Sequence, residues 1–392
     1  MILAEMGPNA TIERSSDLGN RDMDRNHDWL NDGKQHYDDS DLAGANNFLQ
    51  QATEYERDNE GNDSHFVDIV DYDSLNEKQQ IIFKRIKSHY HNTLTNPQTE
   101  PLRIVIIGTA GTGKSYLIMA IRKMLHEMVR HETKTPLLVL APTGVAAFNI
   151  RGRTVHSALS IPIHINDNSL DMNGERLKCL QQRLEGVKYI IIDEKSMVGR
   201  RMLALIDMRL RQAFPDHKNE PFGRRSIILF GDFGQLPPVL DLPMYASTQR
   251  DALLNDGFAD YKQFREVYEL DVIQRQSGNS EIQQKFREIL LRMRNGESTI
   301  EDWKILNSRT EDKQSREERN RFSDATFILP RWIDVEQVNM EKLRSLNRPV
   351  AKILAVHTDG RKAKNADSDM AKGLEPQLLL ARGARIMLTA NL

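Results

Sequence analysis

Residues 102–129 read LRIVIIGTAGTGKSYLIMAIRKMLHEMV, and no other stretch constrains the fold as tightly. A short, wholly apolar run predicts a buried strand, because nothing in it alternates with polar residues. It ends in a glycine-rich turn, and apolar residues at helical spacing follow at once. The turn, Gly108 to Ser115, matches G-x-x-x-x-G-K-[ST] at every fixed position. Gly108, Gly111 and Gly113 let the backbone N–H groups of the turn, with those of Thr109, Ala110 and Thr112, close around a phosphate without Cβ clashes. The following helix start adds partial positive charge. Lys114 is placed to reach β- and γ-phosphates, and Ser115 to offer an oxygen to Mg²⁺. An ordinary glycine-rich turn is the alternative, and the strand before and helix after argue against it.

Other apolar runs repeat the pattern. PLLVLAPTG, VKYIIIDE and RSIILFGD read as buried strands, and the helix RRMLALIDMRLRQAF lies between the last two. Strands without polar alternation, separated by helices, predict an α/β fold with a parallel sheet covered on both faces. In such sheets ligands sit at the carboxyl ends of the strands. YIIIDEKSM (189–197) therefore brings Asp193 and Glu194 to the edge that holds the glycine turn. Two adjacent carboxylates at the end of an apolar strand are costly unless used. Asp193 is predicted to hold Mg²⁺, and Glu194 to position and activate an attacking water. A solvated strand end is the bland alternative.

Bulk properties bound the rest. Apolar residues make up 39% and charged residues 28%, and no run approaches a membrane span. No basic stretch followed by an apolar one opens the chain, so no secretory signal is expected. One cysteine, Cys179, excludes an internal disulfide or a thiolate zinc site and fits a reducing, intracellular compartment. The net charge of −2 hides an asymmetry. Residues 1–73 hold 18 acidic and 5 basic side chains, and the remainder 38 and 49. A basic body is the footprint expected of a nucleic-acid binder, although a merely soluble surface also fits.

Residues 1–73, poor in apolar periodicity, predict a disordered acidic head. Order is expected from Ser74, with a Ser-capped helix carrying Glu77 at its third position. Residues 74–263 are expected to form the nucleotide-binding domain, with a small insertion over 160–186. Residues 264–392 are expected to form a second unit with a strand at ATFILP and a helix near 334–345.

LNEKQ (75–79), APTGVAAFNIRGRTVHSAL (141–159) and GDFGQLPPV (231–239), in this order, resemble PIF-type DNA helicases, relatives of RecD in superfamily one. The resemblance runs from about Ser74 to the end. It implies a P-loop NTPase with a RecA-like sheet and, after it, an incomplete second RecA-like domain. The head is similar to sequence preceding the helicase part in some large fungal, transposon-linked members. Carried over residue by residue, Gln79 matches the adenine-reading glutamine and Gln235 the sensor of the γ-phosphate, with Asp232 shaping its loop. Arg275 matches the arginine brought across a cleft from the second domain. Thr143, Phe148 and His156 fall in segments that contact single-stranded DNA; Phe148 serves equally well as core. The segment 160–186 matches the insertion that helps to split duplex.

Two departures stand out. Relatives usually have a small apolar residue where Lys195 stands. Strand alternation turns Lys195 away from Glu194 into the packing, where an ammonium needs a partner or loses its proton, so Lys195→Ile is expected to raise stability or ATP turnover. Also, GARIMLTANL resembles the family segment before later motifs, which do not follow, so a C-terminal truncation is expected.

The resemblance implies Mg²⁺- and ATP-dependent 5′–3′ movement on single-stranded and forked DNA. It implies roles in repair, recombination and telomere maintenance, with the nucleus favoured over the mitochondrion. A non-catalytic ATP- or DNA-binding fragment and a protein-moving ATPase are the rival expectations. No membrane partner is expected, and nothing in the sequence identifies a protein partner.

Overall fold

The structure, a computed structural model, describes residues 17–29, 31–32, 70–129, 135–162, 172, 174–248, 250–275, 278, 280–356 and 375–386. It divides into two compact units, Gln50–Asn307, and Met1–Leu49 with Ser308–Leu392.

In the first unit the described elements are α1 (Glu77–Thr95), β1 (Arg103–Gly108), α2 (Lys114–Val129), β2 (Leu137–Ala141), α3 (Gly144–Asn149) and β3 (Arg153–Thr154). Then come α4 (Val155–Leu159), α5 (Gly174–Leu184), β4 (Tyr189–Ile192), α6 (Arg200–Ala213), β5 (Ser226–Gly231), α7 (Ala252–Tyr261), β6 (Glu266–Leu270), α8 (Glu281–Asn295) and α9 (Ile300–Asn307). The strands form one sheet in the order β3-β2-β4-β5-β1-β6. Every pairing is parallel.

Side-chain alternation along buried strands builds two cores. Tyr189 and Ile191 of β4 join Ile104 and Ile106 of β1 on one face, with α1 and α2. Ile190 and Ile192 join Val105 on the other, with α5 and α6. Each fully buried Ile or Leu contributes roughly 1.5–3 kcal/mol. The continuous apolar runs are thus strands with a core on both sides.

Sequence expectations differ from the structure at several places. Helix α1 is capped by Asn76, not Ser74: Asn76 accepts from the Gln79 N–H, and Gln79 reaches back to the Asn76 N–H. Ser74 lies in the preceding turn of 3₁₀ helix. The boundary expected at 264 falls instead after Asn307. The reason is β6, which bonds β1 from Ile104↔Glu266 to Gly108↔Leu270 and makes residues 264–307 part of the first unit. Within the expected insertion, 174–184 form α5, whose Leu180 and Leu184 are buried in the sheet's second core. Residues 163–171 and 173 lie outside the described residues.

The second unit contains α10 (Arg316–Arg321), α11 (Trp332–Ser345), β7 (Val350–Leu354) and β8 (Gln377–Ala381). The two strands are antiparallel. Residues 325–330, expected as a strand, form none. A second parallel sheet is therefore not formed among the described residues. Part of the head expected to be disordered is ordered here: Leu18 is buried, and Asp24 accepts from the Val350 N–H at 2.8 Å. Burial alone would raise the Asp24 carboxyl; the Arg21 guanidinium and two backbone donors outweigh it and hold it at about 2. The remaining head, residues 1–16, 30 and 33–69, is outside the described residues.

Candidate active site

Parallel pairing gives the first sheet a single carboxyl edge, and the motif residues leave it in spatial order. His156 follows β3, Thr143 and Phe148 follow β2, Asp193 and Glu194 follow β4, and Gln235 follows β5. The glycine turn follows β1, and Arg275 follows β6. The residues expected to serve phosphate chemistry thus follow the adjacent strands β4, β5, β1 and β6, and those expected to meet DNA follow β3 and β2.

Lys114 opens α2 and donates from Nζ to the Gly108 and Thr109 carbonyls, at 2.8 and 3.1 Å. Burial lowers its pKa, opposed by the nearby Asp193, Glu194 and Asp232 carboxylates. Thr112 ties the turn to itself through Thr109. Ser115 is exposed at the helix start.

Gln79 is brought to this turn, though its amide is already engaged. It is 3% exposed, completes the α1 cap, and donates from Nε2 to the Gly113 carbonyl at 3.2 Å. Gly113 has φ +80°, and a Cβ there would lie 2.5 Å from Gln79 Nε2. The glycine therefore serves both a left-handed backbone and a close approach. An amide bound this way would read a base with the remaining N–H of Nε2 and the second lone pair of Oε1.

Asp193 is buried, and its Oδ1 has no hydrogen-bond partner among the described residues. Burial raises its pKa, against a backbone N–H and the Lys114 and Lys195 cations. Glu194 is raised by burial and then by Asp193. Its backbone is left-handed, φ 50° and ψ 45°, a conformation costing a non-glycine residue roughly 1–2 kcal/mol. The strand end is thereby turned sharply between the two carboxylates and the 3₁₀ turn Lys195–Met197. The Ser196 hydroxyl, which the sequence reading passed over, is also buried there without a partner among the described residues.

Lys195 is 0% exposed, as expected, but the left-handed turn at Glu194 rather than strand alternation directs it inward, since β4 ends at Ile192. It has the partner such an ammonium requires: Nζ donates to the Gly231 carbonyl and sits 4.4 Å from the Phe233 ring centroid. Burial pushes it down to about 8, only partly offset by Asp232. The fall from 10.5 is worth roughly 3 kcal/mol. Stranding the Gly231 carbonyl costs about 1–3 kcal/mol. Lys195→Ile is therefore expected to stabilise by about 1 kcal/mol, read as a higher urea midpoint; an unchanged or lower midpoint refutes it.

Gln235 is half-buried on the loop leaving β5. Asp232 does shape that loop, accepting from the Gly234 N–H at 2.9 Å while its own carbonyl accepts from the Gln235 N–H at 3.0 Å. Its other partner, Arg294 on α8, was not singled out in the sequence. The far end of the loop is fixed by Asp241, which accepts from the Arg201 and Met202 N–H groups and caps α6.

Arg275 differs from expectation. It is not across a cleft but in the same unit as the glycine turn. Its N–H donates to the Gly111 carbonyl at 3.2 Å, and Gln274 does so at 2.7 Å. The side chain is exposed.

Of the residues expected to meet DNA, Phe148 is not core: it is 72% exposed on α3. Thr143 caps that helix by accepting from the Ala146 N–H. His156 is half-buried on α4, and burial lowers its pKa.

A PIF1-like helicase family profile matches residues 74–304. The ATP-dependent DNA helicase Pif1 of Bdellovibrio bacteriovorus is 29% identical over 291 residues, covering 74% of this chain and 60% of that protein. PIF1 of Xenopus laevis is 30% identical over 291 residues, 74% of this chain and 42% of its own. The chain thus spans three fifths or less of these relatives. Among solved structures, a Pif1 described in DNA unwinding at forked double-stranded DNA by two coordinating Pif1 helicases superposes with a TM-score of 0.55. It is 25% identical, with 78% of this chain and 65% of that one covered. Pif1 of Candida albicans superposes with a TM-score of 0.52 at 22% identity, over 78% and 63%. With the profile spanning more than half its length and the motif residues aligned along one sheet edge, this chain belongs to the PIF1-like helicase family.

Proposed function

We propose that this chain is the ATP-hydrolysing part of a DNA helicase. The observation that supports it most is the convergence of Lys114, Asp193, Glu194, Gln235 and Arg275 on four adjacent strand ends. Lys114 exchanges its loop carbonyls for phosphate oxygens. Glu194, a carboxylate whose pKa burial and Asp193 raise, orients and deprotonates water. Gln235 bonds the terminal phosphate and loses that bond after cleavage. Arg275 supplies a guanidinium to the developing charge.

The residues fit Mg²⁺. Asp193 Oδ1 is a buried oxygen with no donor among the described residues, and Ser115 is an exposed residue at the helix start. Among the described residues no group of three or more His, Cys, Asp or Glu could hold a metal alone. Mg²⁺ binds through few protein oxygens with waters and nucleotide phosphates, so these two suffice. Bound there, the ion supplies charge neutralisation to the phosphates.

Single-stranded and forked DNA are proposed as partners. Exposed Phe148 offers a stacking face, and Thr143 and His156 polar groups for phosphate, one edge with the nucleotide site. The relatives support this reading by name. Movement 5′ to 3′, work in repair, recombination and telomere maintenance, and a nuclear location rest on the resemblance. No helix among the described residues is long and apolar enough to cross a membrane.

The test is ATP hydrolysis by the purified chain with and without single-stranded DNA, alongside salt-dependent DNA binding. DNA-stimulated turnover is expected. DNA binding without turnover would favour a non-catalytic fragment, and turnover without DNA binding a protein-moving ATPase.

A further inference from the structure

We propose that Arg294 is a positioning residue for the γ-phosphate-sensing loop, an arm from the last turn of α8 that makes helix and loop move as one body. The proposal rests on the ATPase reading above and adds a residue to it. Arg294 Nε donates to Asp232 Oδ2 at 2.9 Å, and Nη2 to Oδ1 at 2.5 Å. This is the two-pronged geometry that fixes a guanidinium's orientation as well as its distance. Asp232 is 1% exposed, so its charge has no solvent to fall back on. Burial works to raise its pKa, and the Arg294 fork with the Gly234 N–H outweighs that and lowers it.

The same carboxylate organises the loop. Oδ1 also accepts from the Gly234 N–H, and the Asp232 carbonyl accepts from the Gln235 N–H. Moving Asp232 therefore moves Gln235. Space is reserved for the arm: a Cβ on Gly234 would lie 2.6 Å from Arg294 Nε. Lys195 in turn holds the Gly231 carbonyl and the Phe233 ring. The loop is thus gripped by a cation from the 3₁₀ turn after β4 and a cation from α8.

The helix is well placed to transmit what the loop senses. Upstream of α8, Gln274 and Arg275 bond Gly111 of the phosphate turn. Downstream, its last turn holds the Gln235 loop. The phosphate turn and the Gln235 loop are thereby each bonded by residues that precede or end α8. A change at Gln235 on phosphate loss passes to α8 through a rigid fork rather than a flexible contact.

The test uses the full chain with Arg294→Gln and Arg294→Lys, read by hydrogen exchange and by steady-state ATP turnover. In Arg294→Gln the Gly234 and Gln235 amides are expected to exchange roughly tenfold faster or more, while β1 and β4 amides keep their wild-type rates. DNA-stimulated kcat is expected to fall roughly 10²-fold with KM for ATP within about threefold. Arg294→Lys, a cation without the fork, should lie between on both readouts. Unchanged exchange at 234–235 overturns the proposal, and so does equal loosening of β1 and β4, which marks a general loss of stability. If the wild-type chain turns over no ATP, the ATPase reading fails, while the exchange comparison still decides whether Arg294 holds the loop.

Discussion

Glu194→Gln is expected to bind ATP as the parent does and to lose hydrolysis by roughly 10²–10⁴-fold, the usual worth of a positioned general base. The amide keeps the side chain's size and cannot accept the proton. The left-handed backbone at this position is a property of the turn between β4 and the 3₁₀ segment, so the variant inherits it. Charge does change: Asp193 and Glu194 repel, and each is already raised by burial. Removing the Glu194 charge relieves that repulsion, so Mg²⁺-nucleotide binding should hold or tighten. Binding is read by titration with a fluorescent ATP analogue and hydrolysis by phosphate release. Loss of both together would place Glu194 in ligand binding instead of water activation.

Asp260→Asn is expected to stabilise the chain above pH 7 by up to about 4 kcal/mol. Asp260 lies on α7, is buried, and its Oδ2 has no hydrogen-bond partner among the described residues. Burial is the main cause that pushes its carboxyl up to about 7, followed by repulsion from Asp207, with Asp256 adding and Arg211 and Arg103 opposing. Asp207, on α6, commits its oxygens to the Phe222 N–H and the Arg211 guanidinium. A carboxyl whose folded pKa is raised favours the folded state fully below the unfolded value of 3.8. That contribution is lost as pH climbs from about 4 to about 7, and is flat above. Asparagine removes the charge and the slope. Thermal melts should therefore coincide for the two chains near pH 4 and separate by roughly 5–15 °C at pH 8. A constant gap across that range would show that Asp260 does not titrate in the fold.

The site was legible in the sequence where its chemistry depends on neighbours along the chain. GTAGTGKS is a turn between a strand and a helix, and its eight residues specify the cradle by themselves. YIIIDE is legible for the same reason, because a buried strand must end where its charges begin. Lys195 is buried as expected, but not through alternation along a strand: β4 ends at Ile192, and the left-handed backbone of Glu194 turns Lys195 into the packing. What strand logic cannot supply is the acceptor, since Gly231 and Phe233 lie on another strand's exit.

The less legible parts have specific causes. Strand β6, EVYEL, is an edge strand with a burial pattern that alternates. Half-exposed edges read as surface, so residues 264–307 looked like the start of a new domain. Residues 325–330 are apolar but form no strand among the described residues, because an apolar run becomes a strand only where a partner pairs with it. Gln79 sits at the third position of an asparagine-capped helix, and that cap, not the sequence motif, decides what its amide holds.

By itself the sequence determined the parallel sheet, the phosphate turn and the carboxylate pair, since each is encoded by residue spacing within one strand–turn–helix unit. Tertiary structure alone decided that Arg275 backs onto Gly111, that Arg294 grips Asp232, and that Asp260 faces Asp207. Those relations join residues tens to more than a hundred and fifty positions apart, and only the packing of helices onto a shared sheet brings such charges within reach of one another.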